Sequence, residues 1–196
     1  MLVKPCRSFC IVVCTGFALA LPVWPVLAAD ARHEAILKKG SIEWNVMRRK
    51  DPAVHPDLSG VVLKGRRLRK IDFSRTNLAG ADISQSDLGK ADFRDADLHG
   101  VRLDGSVLSG SRFAVAKMLR VSLAGASCSN ADFNGAQMAS SVLRRTDFMN
   151  ATLRGADLSG ADLREANLDC ADLSKADLRA ANLSYLQKLC FGGMSN

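Results

Sequence analysis

The chain has 196 residues, of which 47% are hydrophobic and only 6% aromatic, and its formal net charge is +7. This length allows one domain or two, and the apolar content suffices for a core, but a conventional globular core would use more large rings. The mildly basic balance excludes a strongly acidic protein.

The first 28 residues have the pattern of a signal peptide. A positive start is followed by an apolar run over residues 9–27, and Val26-Leu27-Ala28 has the small-residue form of a cleavage site. The run is also nearly long enough to span a bilayer, so an uncleaved membrane anchor stays an alternative. Cleavage near Ala28 predicts a secreted or periplasmic protein.

A short helical segment is expected within residues 29–55. Gly40-Ser41 interrupts its apolar pattern, so we expect either two short turns or a helix that restarts with Ser41 as its N-cap. Asp51-Pro52 ends the segment because a residue before proline disfavours the helical region. Trp44 is either a binding aromatic or the large ring of a lid on the domain that follows, and we favour the lid.

From residue 56 to residue 185 a large apolar residue recurs every five positions, 26 times without a slip. Two positions earlier stands a small or β-branched residue. A period of five fits neither a helix nor a strand of an open sheet, so the chain must turn a corner every five residues. Phe73, Phe93, Phe113 and Phe133 are 20 residues apart, which predicts four sides per coil with stacked rings. At strand spacing the whole rod would be roughly 31 Å long.

Pentads such as Ala156-Asp157-Leu158-Ser159-Gly160 resemble the A-D/N-L-x-x motif of the pentapeptide-repeat proteins. The resemblance covers about two thirds of the chain. It implies an all-β fold, a right-handed quadrilateral β-helix (a β-solenoid), to which the sequence adds a short N-terminal helical cap. The expected divisions are a signal peptide (1–28), a helical cap (29–55), the repeat β-helix (56–185) and a C-terminal cap or tail (186–196).

Two residues that depart from the repeat, and two cysteines near its end, carry expectations. Arg66 stands in a small inward position, so the first coil must be irregular there or Arg66 must escape past the lid, since an unpaired buried guanidinium is costly. Cys128 fills a large inward position as a buried thiol. Cys170 and Cys190 are one coil apart, and we predict a disulfide between them because stacked Cα atoms roughly 5 Å apart suit such a bond.

Two sets of outward residues are candidates for binding. The first is a basic cluster suited to anionic lipid, polysaccharide or an acidic protein patch, with a merely solvated cluster as the alternative, and it consists of Lys64, Arg66, Arg67, Arg69 and Lys70. The second is a set of apolar residues in the middle coils, expected to mark an interface, and it consists of Val107, Val115, Leu119, Val142 and Met149.

Catalytic, nucleotide-binding and metal-binding motifs do not occur in the sequence, so we expect neither an enzyme nor a cofactor. Direct nucleic-acid binding is not expected either, since the outward faces lack aromatic stacking platforms. The leading interpretation is an exported bacterial protein that acts as a rigid interaction or structural module toward a protein or an envelope surface.

The family resemblance supplies the alternative function, because its best-understood members imitate duplex DNA and shield type II topoisomerases. That role suits an acidic rod in the cytoplasm, whereas residues 56–185 contain 18 basic and 16 acidic residues. In some relatives a C-terminal cap also forms a dimer contact, which implies a homodimer through the tail of this chain.

Overall fold

The computed structural model of the chain describes residues 30–186. Two helices, α1 (Ala31–Lys39) and α2 (Ser41–Lys50), precede one continuous coil. In each pentad the residue before the large inward side chain, here called the bridging residue, forms a parallel β-bridge with the residue 20 positions later, beginning with Asp57 and Asn77. The predicted coil of four sides is confirmed.

Main-chain hydrogen bonds join each coil to both of its neighbours. The amide of Leu78 donates to the carbonyl of Asp97 at 2.8 Å, and the amide of Asp97 donates back to the carbonyl of Thr76 at 3.0 Å. The same exchange recurs from side to side up to Asn182, whose amide donates to Ala161 at 2.9 Å. The coils are therefore held together lengthwise by the backbone.

A β-turn closes each corner of the coil and places the fifth residue of the pentad at positive φ. The amide of Ala81 donates to the carbonyl of Leu78 at 2.9 Å, and Gly80 between them has φ 69°. Glycine suits this position because it has no Cβ to clash. Val115 adopts the same conformation, with φ 60°, although a β-branched residue is strained there.

Large inward side chains stack coil on coil to form the core. Phe93, Phe113 and Phe133 are fully buried, with successive ring centroids 4.7 and 4.6 Å apart and ring planes within 4° of parallel. Phe73 precedes them at 5.5 Å with a tilt of 38°, and Phe148 from a neighbouring column meets Phe133 edge-on at 5.5 Å. The predicted phenylalanine column is confirmed.

Serine and threonine in the small inward position bond to turn carbonyls of the preceding coil. Ser111 donates its hydroxyl to the carbonyl of Leu88 at 2.8 Å, and Thr146 donates to Leu123 at 2.8 Å, each across 23 residues. A buried hydroxyl without a partner would be costly. These bonds explain why the position accepts Ser and Thr as well as Ala.

The helical segment begins at Asp30, whose carboxylate accepts from the amide of Arg32 at 2.8 Å, and it breaks at Gly40 with φ 120°. α2 begins at Ser41, and its N-cap is Gly40, which offers no side-chain bond. The expectation that Ser41 is the N-cap is therefore wrong, because Gly40 holds the N-cap position and Ser41 already lies inside the helix. α2 ends at Lys50, before Asp51-Pro52, as expected.

Trp44 of α2 packs on the first coil. Its side chain is fully buried, the indole nitrogen donates to the carbonyl of Asp72 at 2.6 Å, and the ring meets Phe73 edge-on at 5.6 Å. Leu37 of α1 is buried beside the same core. The aromatic column thus continues from the coil into the helical pair, and Trp44 is a core residue.

The two ends of the described coil differ in cover. Leu58 and Phe73 in the first coil are fully buried, whereas Leu173 and Leu178 are half-buried and Leu183 is 38% exposed. Of the predicted C-terminal tail only residue 186 is described. Within residues 30–186, neither helix has the length and apolar character needed to cross a membrane.

Candidate interaction surfaces

The outward surface is a regular lattice. Bridging residues and turn residues point outward, and a side chain meets partners 18 or 20 positions away in the next coil. Arg154 pairs with Asp172 at 2.7 Å across 18 residues, and Arg145 pairs with Glu165 at 2.8 Å across 20. Surface neighbours can therefore be read from these two spacings.

Aspartate and asparagine in the bridging position bond to their own turn. The carboxylate of Asp157, for example, accepts from the amide of Ser159 at 3.0 Å. The residues that make this bond are Asp57, Asp72, Asn77, Asp82, Asp87, Asp92, Asp97, Asp132, Asp147, Asp157, Asp162, Asn167, Asp172, Asp177 and Asn182. Aspartate and asparagine recur in the bridging position because their side-chain oxygens bond to the turn that follows, as in Asx turns.

The hydrogen-bonded carboxylates of Asp162 and Asp172 are held in the ionised form. A side-chain bond from Arg164, aided by one from Arg144, holds the pKa of Asp162 well below its usual range. Bonds from Ser174 and then an arginine lower the pKa of Asp172 in the same way. Asp162 and Asp172 are thus members of ion pairs and caps of their turns.

Asp92 is the centre of a tighter pair of contacts. It is only 8% exposed, and its carboxylate meets Arg94 at 2.8 Å and Arg112 at 2.6 Å. Burial is the largest influence and would raise the pKa of Asp92, but the bonds from Arg94 and the charge of Arg112 outweigh it and the pKa is lowered. The cluster fastens two coils of one face.

In the middle coils, here residues 101–145, most bridging residues are not acidic. They are Arg102, Val107, Arg112, Lys117, Ser122, Ser127, Gln137 and Val142, and the bridges continue through all of them. At Ser122 the bridging residue does not bond to its own turn, and Asp104 in the preceding coil takes over this role. The carboxylate of Asp104 accepts from the hydroxyl of Ser122 and, at 3.1 Å, from the amide of Ala124. The 18- and 20-residue spacings are the sequence signal for this contact, which sequence reasoning missed.

The expected apolar interface is not assembled into one patch. Val107, Val115, Val142 and Met149 are 42%, 56%, 37% and 39% exposed, and Leu119 is half-buried. They point outward as expected. Because they fall in different columns of the 20-residue frame, however, the rod distributes them over all four faces.

All five residues of the predicted basic cluster are exposed. The first coil is regular, with bridges from Val62 to Asp82 and from Arg67 to Asp87, so an irregular coil at Arg66 is not found. The side chain of Arg66 instead points away from the core, as the alternative expectation had it, and its guanidinium donates to the carbonyl of Lys38 at 3.3 Å.

Arg48 is a buried cation, although it stands in the basic run Arg48-Arg49-Lys50, a pattern more typical of an exposed surface. It is 3% exposed and donates to the carbonyls of Val54 and Ser74, each at 2.7 Å, while its Nε lies 3.7 Å from the carboxylate of Asp72. It therefore joins α2 to the linker and to the first coil. The signal was its position four residues after Trp44, on the same helix face.

Cysteine chemistry divides into two sites. Cys128 is fully buried, and burial strongly raises the pKa of its thiol, so it is an unreactive core residue as expected. Cys170 is exposed, but Cys190 and the signal peptide lie outside the described residues, so the disulfide and the cleavage stay predictions. Within residues 30–186, side chains of His, Cys, Asp and Glu form no group suited to a metal ion.

The chain belongs to the pentapeptide-repeat family. The family model, described as pentapeptide repeats, matches in eight copies over residues 57–95, 71–110, 91–121, 116–155 and 146–184. Members of this family form right-handed β-helices and are generally structural or interaction modules, not enzymes. Among curated proteins, no sequence matches the chain.

Several solved structures are similar to the chain. A pentapeptide repeat protein from the Arabidopsis thaliana thylakoid lumen shares 32% identity at TM-score 0.39, with 56% of this chain and 69% of that one covered. Rfr23 from the cyanobacterium Cyanothece 51142 shares 20% at TM-score 0.43, covering 70% and 92%. QnrB1, a plasmid-mediated fluoroquinolone resistance protein, shares 20% at TM-score 0.41, covering 65% and 74%.

Proposed function

We propose that the protein is an exported, non-enzymatic module that presents a rigid β-helical rod to a protein or an envelope surface. The observation that carries the proposal is the separation of inward and outward positions. The inward positions and the main-chain bonds stay the same from Asp57 to Asn182, whereas the bridging residues vary in charge and size. A fixed frame with variable outward side chains suits display to a partner.

α1 and α2 are proposed to be the N-terminal cap of this rod. Trp44 and Leu37 cover the first coil, and Arg48 bonds the helical pair to Ser74. Because each coil offers unpaired main-chain groups and apolar surface at its end, a solenoid needs such a cover. The full-length Trp44→Ala variant should keep its β-helical circular dichroism spectrum but unfold more easily than wild type when unfolding is followed by circular dichroism.

Export is tested by sequencing the N-terminus of the protein isolated from its native cell. A mature start near Ala29 supports export. An intact Met1 in the cytosol would overturn it and favour the alternative, a DNA mimic that binds a topoisomerase. That alternative is weaker because acidic and basic residues are nearly balanced in the coil and many carboxylates pair with arginine, as Asp162 does with Arg144 and Arg164.

The interaction itself is tested by pull-down from envelope extract. The bait is the wild-type chain, and the comparison is a variant with Arg66, Arg67 and Arg69 each changed to Glu. Loss of specific partners from the variant supports a role for the basic cluster, and identical partner lists would refute it. The predicted homodimer through the C-terminal tail is checked on the same sample by light scattering after size-exclusion chromatography, where a monomeric mass would exclude it.

A further inference from the structure

We propose that the N-terminal end of the rod docks on an anionic lipid membrane surface. The inference rests on the proposed function and names its envelope partner as lipid. The contact is made by cations and exposed apolar side chains that the fold gathers from both helices and the first coil.

The junction of the two helices lies at a corner of the first coil. Because Arg66 donates to the carbonyl of Lys38, the last residues of α1 sit beside the coil's basic segment. Lys38 and Lys39 are exposed there, and Lys64, two residues before Arg66, is exposed as well. Cations that are about 25 residues apart in sequence therefore share one corner.

Asn45 fixes α2 along the next corner. Its amide donates to the carbonyl of Lys70 at 2.9 Å, and its side-chain oxygen accepts from the amide of Asp72 at 2.9 Å. Arg49 lies one helical turn after Asn45 and is exposed, so it adds a positive charge on the side of α2 that Asn45 holds at Lys70. We call the whole surface the basic end, and it consists of Lys38, Lys39, Arg49, Lys64, Arg66, Arg67 and Lys70.

Carboxylates offset only part of this charge. Arg69 is left out of the basic end because it pairs with Asp87 at 3.2 Å. Glu34 lies 3.8 Å from Lys38, and Glu43 is exposed on α2. Residues 29–75 contain 12 Lys and Arg against 6 Asp and Glu, whereas the rest of the chain to its C-terminus contains 13 against 14. The excess of positive charge is thus confined to one end of the rod.

Exposed aliphatic side chains stand close to these cations in the sequence. Ile42, just after the helix junction, is 74% exposed, and Val62, just before Lys64, is 72% exposed. Val46, one turn after Ile42, is 37% exposed. Basic side chains mixed with exposed apolar ones are typical of surfaces that insert shallowly into lipid headgroups. A polysaccharide would need the charges but not Ile42 and Val62, so these side chains favour lipid over polysaccharide.

The chain also enters the rod at this end. The amide of Asp30 donates to the carbonyl of Asp57 at 3.0 Å, which holds the start of α1 on the first coil. The apolar run of residues 9–27 directly precedes it in sequence. The start of α1 is therefore held at the same end of the rod as the basic end.

The test is flotation of the full chain with vesicles of phosphatidylcholine alone or with added phosphatidylglycerol. Wild type should bind the anionic vesicles more strongly, and salt should weaken the preference. Arg67→Glu/Lys70→Glu should reduce binding to anionic vesicles about tenfold or more, since each basic residue near such a surface contributes about 1 kcal/mol. Lys117→Glu/Arg120→Glu changes the same positions of the pentad elsewhere on the rod and should bind like wild type.

A second pair of variants tests the apolar contribution. Ile42→Ser/Val62→Ser should weaken binding to anionic vesicles severalfold, whereas Val107→Ser/Val142→Ser should not. Circular dichroism of the four variants is the control for folding. Equal binding of wild type to neutral and anionic vesicles, or equal loss in Arg67→Glu/Lys70→Glu and its control, would overturn the proposal. Recovery of a protein partner despite either result would leave the proposed function standing.

Discussion

The outer coils and the middle coils follow the same path with different side chains. In the outer coils nearly every turn is fastened by an aspartate or asparagine, as Asp157 fastens Ser159, whereas Gln137 one coil earlier takes the same place without such a bond. The bridge between Gln137 and Asp157 is nonetheless regular. The inward core and the main-chain ladder therefore determine the coil, and the bridging side chain adjusts stability and surface properties.

The largest expected effect is in the shared core. Phe113→Ala should lower the free energy of unfolding by about 3–5 kcal/mol, because it opens a cavity between two stacked rings. Urea unfolding followed by circular dichroism measures it, with Val107→Ala as an exposed control in the same coil. A loss below about 1 kcal/mol would show that the middle coils do not depend on the aromatic column.

Acid should act on several fastened turns at once. The pKa values of Asp82, Asp162 and Asp172 are lower in the folded chain than their ordinary value, with the largest contributions from bonds of Ser84, Arg164 and Ser174. A carboxyl group with a lowered folded pKa stabilises the fold above its unfolded pKa of about 4, and this stability is lost as pH falls through the folded pKa.

Thermal unfolding between pH 7 and pH 2 measures this dependence. Wild type should be nearly constant down to about pH 5 and lose stability below about pH 4. The triple variant Asp82→Asn/Asp162→Asn/Asp172→Asn should start lower and fall less. Equal slopes for the two proteins would contradict the assignment.

Asp104→Ala should cost about 1–3 kcal/mol, since it leaves the amide of Ala124 and the hydroxyl of Ser122 without their acceptor. A double-mutant cycle with Ser122→Ala separates the hydroxyl contact from the amide contact. Additive effects would mean that Asp104 does not replace a missing cap through Ser122.

Two substitutions in one column measure how much the turn bond of the bridging residue stabilises the coil. Asp157→Ala should destabilise the protein by about 1 kcal/mol, because the amide of Ser159 loses its acceptor. Gln137→Ala, one coil earlier, should change stability by less than about 0.5 kcal/mol. Similar losses at both positions would indicate that the turn bond contributes nothing.

The smallest effect is expected at a strained corner. Val115→Gly should raise the free energy of unfolding by at most about 1 kcal/mol, since relief of the left-handed valine exceeds the entropy that glycine costs. Val107→Gly, in an extended bridging position, should instead destabilise by about 1 kcal/mol. The idea fails if both changes destabilise to the same extent.

Much of the fold was predictable because it repeats. The 20-residue spacing of Phe93 and Phe113 predicted both the number of sides and the stacked rings. Trp44, interpreted from the sequence as the large ring of a lid, packs edge-on against Phe73. Regular spacing determines which residues stack, and stacking by itself determines where the core lies.

Contacts that join unlike segments were not predictable in the same way. The acceptors of Arg48 are carbonyls of Val54 and Ser74, and their position depends on how α2 lies on the coil. Of the candidate surfaces, the basic cluster was recognised from its composition, but its contact with α1 at Lys38 depends on where the helix junction lies.

The exchange of bonds between residues 20 apart determines which insertions and deletions the coil can accept. Each coil meets its neighbours through the same registers of 18, 20 and 23 positions, so the chain resembles a stack of interchangeable units. Removing one or two residues would turn every later side chain onto the wrong side. Removing or adding a block of 20 would keep every inward residue inward and alter only the height of the rod, by about 5 Å.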